Sequence, residues 1–409
     1  MASETSIRKR LELKERTLQF LPVKMQYLVD CKTILHNNKK IKTAYLVDII
    51  HGLILKYYFK KDNKFSLHSS ILKEKYGHLY NHYISWLVDN RLIEMRSNYL
   101  AGRNSRSYSI CSEVLKGKIL RYSNRDKTLL RKYKNSVSRV EDGDIGSELI
   151  HADVKAKLVD DLFHVEIDQS TAIFYLDNLK DFDGDIYNRN VYSVECIGDK
   201  HIFYHFDNYG RMHTNFTILK SFIRKTCLLI DGEPTHEIDI KNSQPLFLTK
   251  VIESSGTKWV KPDEFELFKY LTINGIYYQY VMDATGNNDR SVVKEMTYRV
   301  LFGKNAHSCK ADKVFSSLFP TIHNFIKLYK KEKGDYRVLA YELQKAESSL
   351  LFNQIVKNVM QQMPDVKMVT VHDSIIVPFR HRDSIEAIFN LRLYEEFGII
   401  KKASENINI

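Results

Sequence analysis

The sequence predicts an α+β chain in which helices outnumber strands. A mostly helical N-terminal part closes with a short hairpin, and a larger part follows in which helices gather on an antiparallel sheet. Three observations carry this expectation. Gly 16 and Pro 7 are low counts for 409 residues, which leaves little room for long irregular segments and favours helix. Apolar side chains recur at helical spacing through Leu46, Ile49, Ile50, Leu53 and Ile54, and again through Tyr80, Tyr83, Ile84, Leu87 and Val88. Near the C-terminus two β-branched runs flank His372-Asp373 and read as the strands of a tight hairpin.

Residues 1–40 are expected to form a helical extension. From Thr43 to Tyr58 the apolar stripe predicts an amphipathic helix with one buried face. Ser69 or Ser70 is the predicted N-cap of a second helix that Gly77 stops after Tyr76, and a third helix ends at Asn90. Leu92–Tyr99 and Ser105–Ile110 then make a hairpin across Gly102. This order is that of a winged helix-turn-helix, and residues 41–115 are assigned to it. Residues 101–134 hold ten basic side chains against Glu113 and Asp126, so the segment reads either as a phosphate-tracking surface or as a solvated face. Residues 116–200, basic and then acidic, are read as a helical connector in the position of a thumb, and residues 201–409 as the second domain.

Composition narrows the partners. With 62 Lys and Arg against 50 Asp and Glu the net charge is +12, which favours polyanions. An apolar fraction of 44% excludes a disordered chain. Five scattered cysteines without a Cys-x-x-Cys pair exclude a disulfide scaffold and a zinc ribbon. The charged N-terminal stretch has no apolar signal core, and no run of about 18 apolar residues follows. The expectation is a soluble cytoplasmic protein with no membrane partner.

Three clusters in the second half carry chemistry. In Glu237–Pro245 an apolar approach through Ile238 predicts a strand ending at Asp239. In Arg290–Gly303 a helix beginning after Asn288 or Asp289 places Arg290, Lys294, Tyr298 and Phe302 along one stripe. Two cations and two rings suit a nucleoside triphosphate, the cations for phosphates and the rings for base and sugar. In Met368–Pro378 the hairpin carries Asp373 at its tip. Two carboxylates converging at about 4 Å would repel by roughly 4 kcal/mol at an effective dielectric near 20, so cations would be needed to keep both ionised.

In this order and spacing the clusters resemble motifs A, B and C of the family A DNA polymerases and the single-subunit phage-type RNA polymerases. Arg290, Lys294, Phe302 and Gly303 match Arg-x3-Lys-x7-aromatic-Gly, and Val371-His372-Asp373 is similar to the Val-His-Asp signature. Asp207–Arg211 resembles the Asp-x-x-Gly-Arg template motif, and Leu343-Gln344 resembles the segment whose Gln contacts the primer-template minor groove.

The resemblance implies a right-hand palm and fingers over residues 201–409 and a template-dependent polymerase using DNA template, primer or nascent strand, and nucleoside triphosphates. It implies two Mg²⁺ ions, replaceable by Mn²⁺, on Asp239 and Asp373. Arg290 and Lys294 would hold the triphosphate, with Lys294 protonating the leaving pyrophosphate. Tyr298 and Phe302 would line the base and sugar side. Arg211, Gln344 and His372 would meet nucleic acid, as would Arg103 and Arg106 on the wing.

Two departures concern the sugar. Ser243-Gln244 falls four and five residues after Asp239, so Gln244 stands where family A enzymes carry a Glu that excludes a 2′-hydroxyl. Phe302 replaces the usual Tyr before the Gly. Deoxyribose and ribose therefore both stay open. The pairing with a winged helix suggests a replication protein of a phage or mobile element. The competing expectation is a non-catalytic replication initiator or regulator whose polymerase-like fold only grips nucleic acid.

Overall fold

The computed structural model describes residues 17–60, 65–97, 106–115, 118–132, 148–179, 184–255, 259–305 and 309–398. It is a mixed helix and antiparallel-sheet protein, as expected. The chain divides into two compact units, one of 1–144, 166–203 and 218–227, the other of 145–165, 204–217 and 228–409.

In the first unit the expected helical extension is corrected. Its described residues form the strand Thr17–Pro22, a 3₁₀ turn Val23–Leu28 and the antiparallel hairpin of Thr33–His36 with Lys39–Lys42. Thr17–Pro22 pairs along its length with Ile119–Asn124. Phe20 and Leu21 are both buried, so the strand packs on two faces and lacks the alternation that marks a half-exposed one. Asn37 and Asn38 close the hairpin at φ 48° and 60°, a left-handed pair that Asn tolerates.

Helix Thr43–Lys60 buries Leu46, Ile50, Leu53 and Ile54 against Leu21, Met25, Tyr83, Leu87, Ile93 and Ile110. It also buries Asp48, which accepts from Gln19 Nε2 at 2.6 Å and Tyr76 Oη at 2.5 Å and pairs with Lys75 at 2.8 Å. Satisfied in this way, the carboxylate is tolerated inside.

Helices Ser69–Tyr76 and Tyr80–Asp89 follow. His68, and not Ser69 or Ser70, caps the former, its carbonyl taking the Leu72 N–H at 3.0 Å. Gly77, at φ 77°, ends it. Ile93–Ser97 and Ser107–Ile110 pair antiparallel, and Phe65–Ser66 adds a third strand beside Ser107–Tyr108. That two-residue strand is too short to leave a periodic signal. Residues 98–105, with Arg103, lie outside the described residues.

The expected connector is not one piece: Gln169–Asp177 and Gly184–Gly198 are helices of the first unit, whereas Ala152–Asp161 belongs to the second. Part of the basic segment is spent on protein. Lys118 pairs with Asp177 at 2.9 Å, Arg121 with Glu195 at 2.9 Å and also with Asp199, and Lys132 donates to the carbonyls of Glu74 and Lys75.

In the second unit, strands Val369–Val371, Ser374–Pro378, Glu233–Asp239 and Leu228–Ile230 lie side by side in that order, all antiparallel. Helix Ala152–Asp161 is tied to this sheet. Its Asp161, fully buried, accepts the Met368 N–H at 3.1 Å and the Lys157 ammonium at 2.6 Å. Helix Arg290–Phe302 starts as expected, Asp289 accepting the Ser291 N–H at 2.8 Å. An aromatic cluster supports it: Phe268 stands 5.1 Å from Phe319 and 5.5 Å from Tyr277, centroid to centroid, and the Tyr277 hydroxyl lies 3.3 Å from that of Thr297. Helix Val338–Ser348 continues through a π-helical stretch, Ser349–Val356, into Lys357–Gln362.

Candidate active site

Asp239 and Asp373 come together because their strands are neighbours. Asp239 is the last residue of Glu233–Asp239 and faces Ser374, the residue after Asp373. The Ile240 N–H donates to the Asp373 carbonyl at 3.2 Å. Each strand end is followed by a non-glycine residue in the left-handed region, Asn242 at φ 53° and His372 at φ 55°. Asn and His are among the residues that reach this region most readily, so both turns are ones their sequence permits. The Ser374 hydroxyl donates to Glu237 at 2.9 Å and anchors the turn.

The two carboxylates differ. Asp239 is exposed and Asp373 half-buried. Burial, then the negative charges of Glu347 and Asp239, push the Asp373 carboxyl up to about 7, while the Lys294 ammonium pulls the other way. Burial first, then Asp373 and Glu347, likewise push the Tyr298 phenol up to about 12. Helix Arg290–Phe302 therefore turns Lys294 and Tyr298 toward the acidic strand ends. Lys294 lies 5.5 Å over the Tyr298 ring, Phe302 packs on Tyr298 at 5.1 Å, and Arg290 lies 5.2 Å over the Tyr278 ring.

Glu347 is the residue the sequence reading missed. It is 1% exposed and carries four donors. Oε1 accepts Arg211 Nε at 3.1 Å and a second guanidinium nitrogen; Oε2 accepts the Ser243 hydroxyl and Gln244 Nε2. One carboxylate thus ties three segments together: the turn 207–211, the start of helix Ser243–Ser255 and the helix Val338–Ser348. Its signal was an acid on the apolar face of Leu343–Ser348, one turn beyond Gln344.

The other expected residues are placed as follows. Arg211 spends its fork on Glu347 and its N–H on Asp207 Oδ1 at 3.0 Å. Asp207 also pairs with His213 at 2.9 Å, and the His213 ring stands 6.2 Å from that of His372 in an edge-on arrangement. Gln344 is half-buried on the same helix as Glu347. Tyr209, beside Arg211 in sequence, stacks on Tyr341 at 4.3 Å. Arg106 is exposed and belongs to the first unit, away in sequence from these clusters.

Among the described residues no group of three or more His, Cys, Asp or Glu side chains is arranged to hold a metal, and no helix is long and apolar enough to cross a membrane. The donor chemistry at the strand ends still suits a divalent cation. The site offers all-oxygen ligands, and the Asp373 carboxyl is pushed toward neutrality by burial first and then by the negative charges of Glu347 and Asp239, a condition that a cation relieves. No model of a known protein family matches this chain, and no curated protein matches it significantly.

Proposed function

We propose that the chain is a template-dependent nucleotidyltransferase, a nucleic acid polymerase with a palm-and-fingers second unit. The observation that carries this reading is the pairing of Asp239 and Asp373 at adjacent antiparallel strand ends, with Lys294 and Tyr298 of one helix turned toward them. Asp239 and Asp373 would hold Mg²⁺. When bound, such ions lower the pKa of a primer 3′-hydroxyl and neutralise charge on the reacting phosphates. Arg290 and Lys294 supply two exposed cations for the triphosphate, and Lys294 would give a proton to the departing pyrophosphate. Tyr298 and Phe302 would line the base and sugar side, and His372 at the turn would meet the primer end.

The first unit is the DNA-binding half in this proposal, a winged helix-turn-helix preceding the polymerase of a phage or mobile element. Its order of helix, short strand, two helices and hairpin supports this. Helix Tyr80–Asp89 carries no Lys or Arg, so phosphate contacts would fall to exposed cations such as Arg106, Arg125 and Lys127.

The test is incorporation of labelled nucleotides with Mg²⁺ on primed and unprimed DNA. Wild type is expected to extend, and Asp239→Asn and Asp373→Asn, folded as judged by circular dichroism, are expected not to. A wild type silent on every template sinks the polymerase reading and leaves a nucleic-acid-gripping initiator.

A further inference from the structure

In the sequence-based comparison Gln244 stands where a side chain bars the 2′-hydroxyl of an incoming nucleotide. Its placement does not suit that task. A steric gate works by presenting surface to the sugar, and Gln244 is 3% exposed. Its Nε2 donates to Glu347, and its Oε1 is enclosed by protein with no hydrogen-bond partner. The neighbouring Ser243 hydroxyl is held by the same carboxylate oxygen. Glu347 cannot let go cheaply. It is buried, its charge is matched by Arg211, and hydrogen bonds to a buried carboxylate are among the strongest in a protein. Withdrawing one donor would leave a charged oxygen undersatisfied. The ring that follows in the pocket, Phe302, has no hydroxyl with which to sense the sugar and is packed on Tyr298.

Resting on the polymerase reading, we propose that Glu347 acts as a positioning residue that holds Gln244 back from the sugar pocket, so that this site admits ribonucleotides as well as deoxyribonucleotides. Glu347 is not itself a metal ligand here, since both of its oxygens are taken by Arg211, Ser243 and Gln244. Its effect on the sugar is indirect, through the side chain it restrains.

The experiment is single-nucleotide incorporation by the full chain on a primed DNA template with Mg²⁺, comparing kcat/KM for a dNTP and for the matching rNTP. A pocket with no side chain set against the 2′-hydroxyl rejects an added hydroxyl by no more than about 100-fold, so the wild-type ratio is expected below that figure. Gln244→Ala is expected to change the ratio by less than about fivefold, since a withdrawn side chain has nothing to relieve. Glu347→Gln loses the charge that holds Gln244, and its ratio is expected to move toward deoxyribonucleotides; the double variant Glu347→Gln/Gln244→Ala returns it to the wild-type value. A structural role for Glu347 alone would lower both rates together and leave the ratio fixed, which overturns its positioning role.

A wild-type ratio above about 100-fold, or a larger relief by Gln244→Ala, overturns the proposal and returns Gln244 to the gate. These outcomes need no folded Glu347 variant. Absence of incorporation with either sugar is a different result: it removes the polymerase reading, and this inference with it.

Discussion

The ammonium of Lys330 donates to the carbonyl of Gly303 at 2.9 Å, and to that of Val300 at 2.6 Å, from a position only 3% exposed. A buried cation thus closes the C-terminal end of the helix bearing Arg290, Lys294, Tyr298 and Phe302, where free carbonyls concentrate negative charge.

Lys330→Met is expected to lower unfolding free energy by about 3 kcal/mol, two charge-assisted bonds being removed together. Gly303→Ala should cost about 1–3 kcal/mol, the range for overpacking, because its Cβ would sit 2.4 Å from the Arg299 carbonyl. Urea unfolding of each variant checks both; wild-type midpoints would show that the helix end does not depend on this closure.

The carboxyl of Asp373 titrates near 7 in the fold but near about 4 in an unfolded chain. Below the lower value it is protonated in both states and costs nothing. As pH rises through the window the unfolded chain gives up its proton first, so the metal-free fold loses stability until about 7. Thermal melts without divalent ions should fall across this window for wild type and stay flatter for Asp373→Asn. Mg²⁺ added above the window should raise the wild-type Tm and leave the variant unmoved.

His51 works in the opposite sense. Burial holds its imidazole down to about 4, and its Nδ1 accepts the Phe20 N–H at 3.1 Å, which requires the neutral ring. Above about 6.5 both states are neutral and stability is full. Between there and about 4 the unfolded chain takes a proton that the fold refuses, which removes about 3 kcal/mol. Trp86 reports on this unit and Trp259 on the other, so acid titration of Trp86 fluorescence in a Trp259→Phe background isolates it. His51→Gln should flatten the curve.

Within the basic segment, cations divide by what they already touch. Replacing Arg106, Arg125 and Lys127 with Gln should reduce the slope of log affinity against log salt on duplex DNA by about 0.9 for every phosphate that is no longer neutralised. Arg121→Gln should leave the slope unchanged and lower stability instead, since its guanidinium is held by Glu195 and Asp199. Equal slopes for all four would make the run a solvated face.

What the sequence revealed follows from how local each signal is. The helix from Arg290, with its Asp289 cap, and the turn at His372-Asp373 are decided within a few residues, and both lie where expected. The strand Thr17–Pro22 is decided by a partner a hundred positions away, Ile119–Asn124, and its Phe20-Leu21 pair buries both faces, which erases the period. Glu347 escaped for a related reason. An acid in an apolar helix is ambiguous until Arg211, Ser243 and Gln244 arrive from two other segments. The interleaving of the units escaped because it is set by contacts between distant segments, the chain changing sides at 145, 166, 204, 218 and 228.

That interleaving sets a schedule for synthesis. The first unit lacks its last segment until residue 227 has left the ribosome, although its opening strand was made two hundred residues earlier. Helix Ala152–Asp161 must then wait with a charged Asp161 for Lys367 and Met368, which are made two hundred residues after it. A fragment started at residue 201 would omit that helix altogether. The two units are thus interwoven along one chain, and no single cut through the sequence parts all of one unit from all of the other.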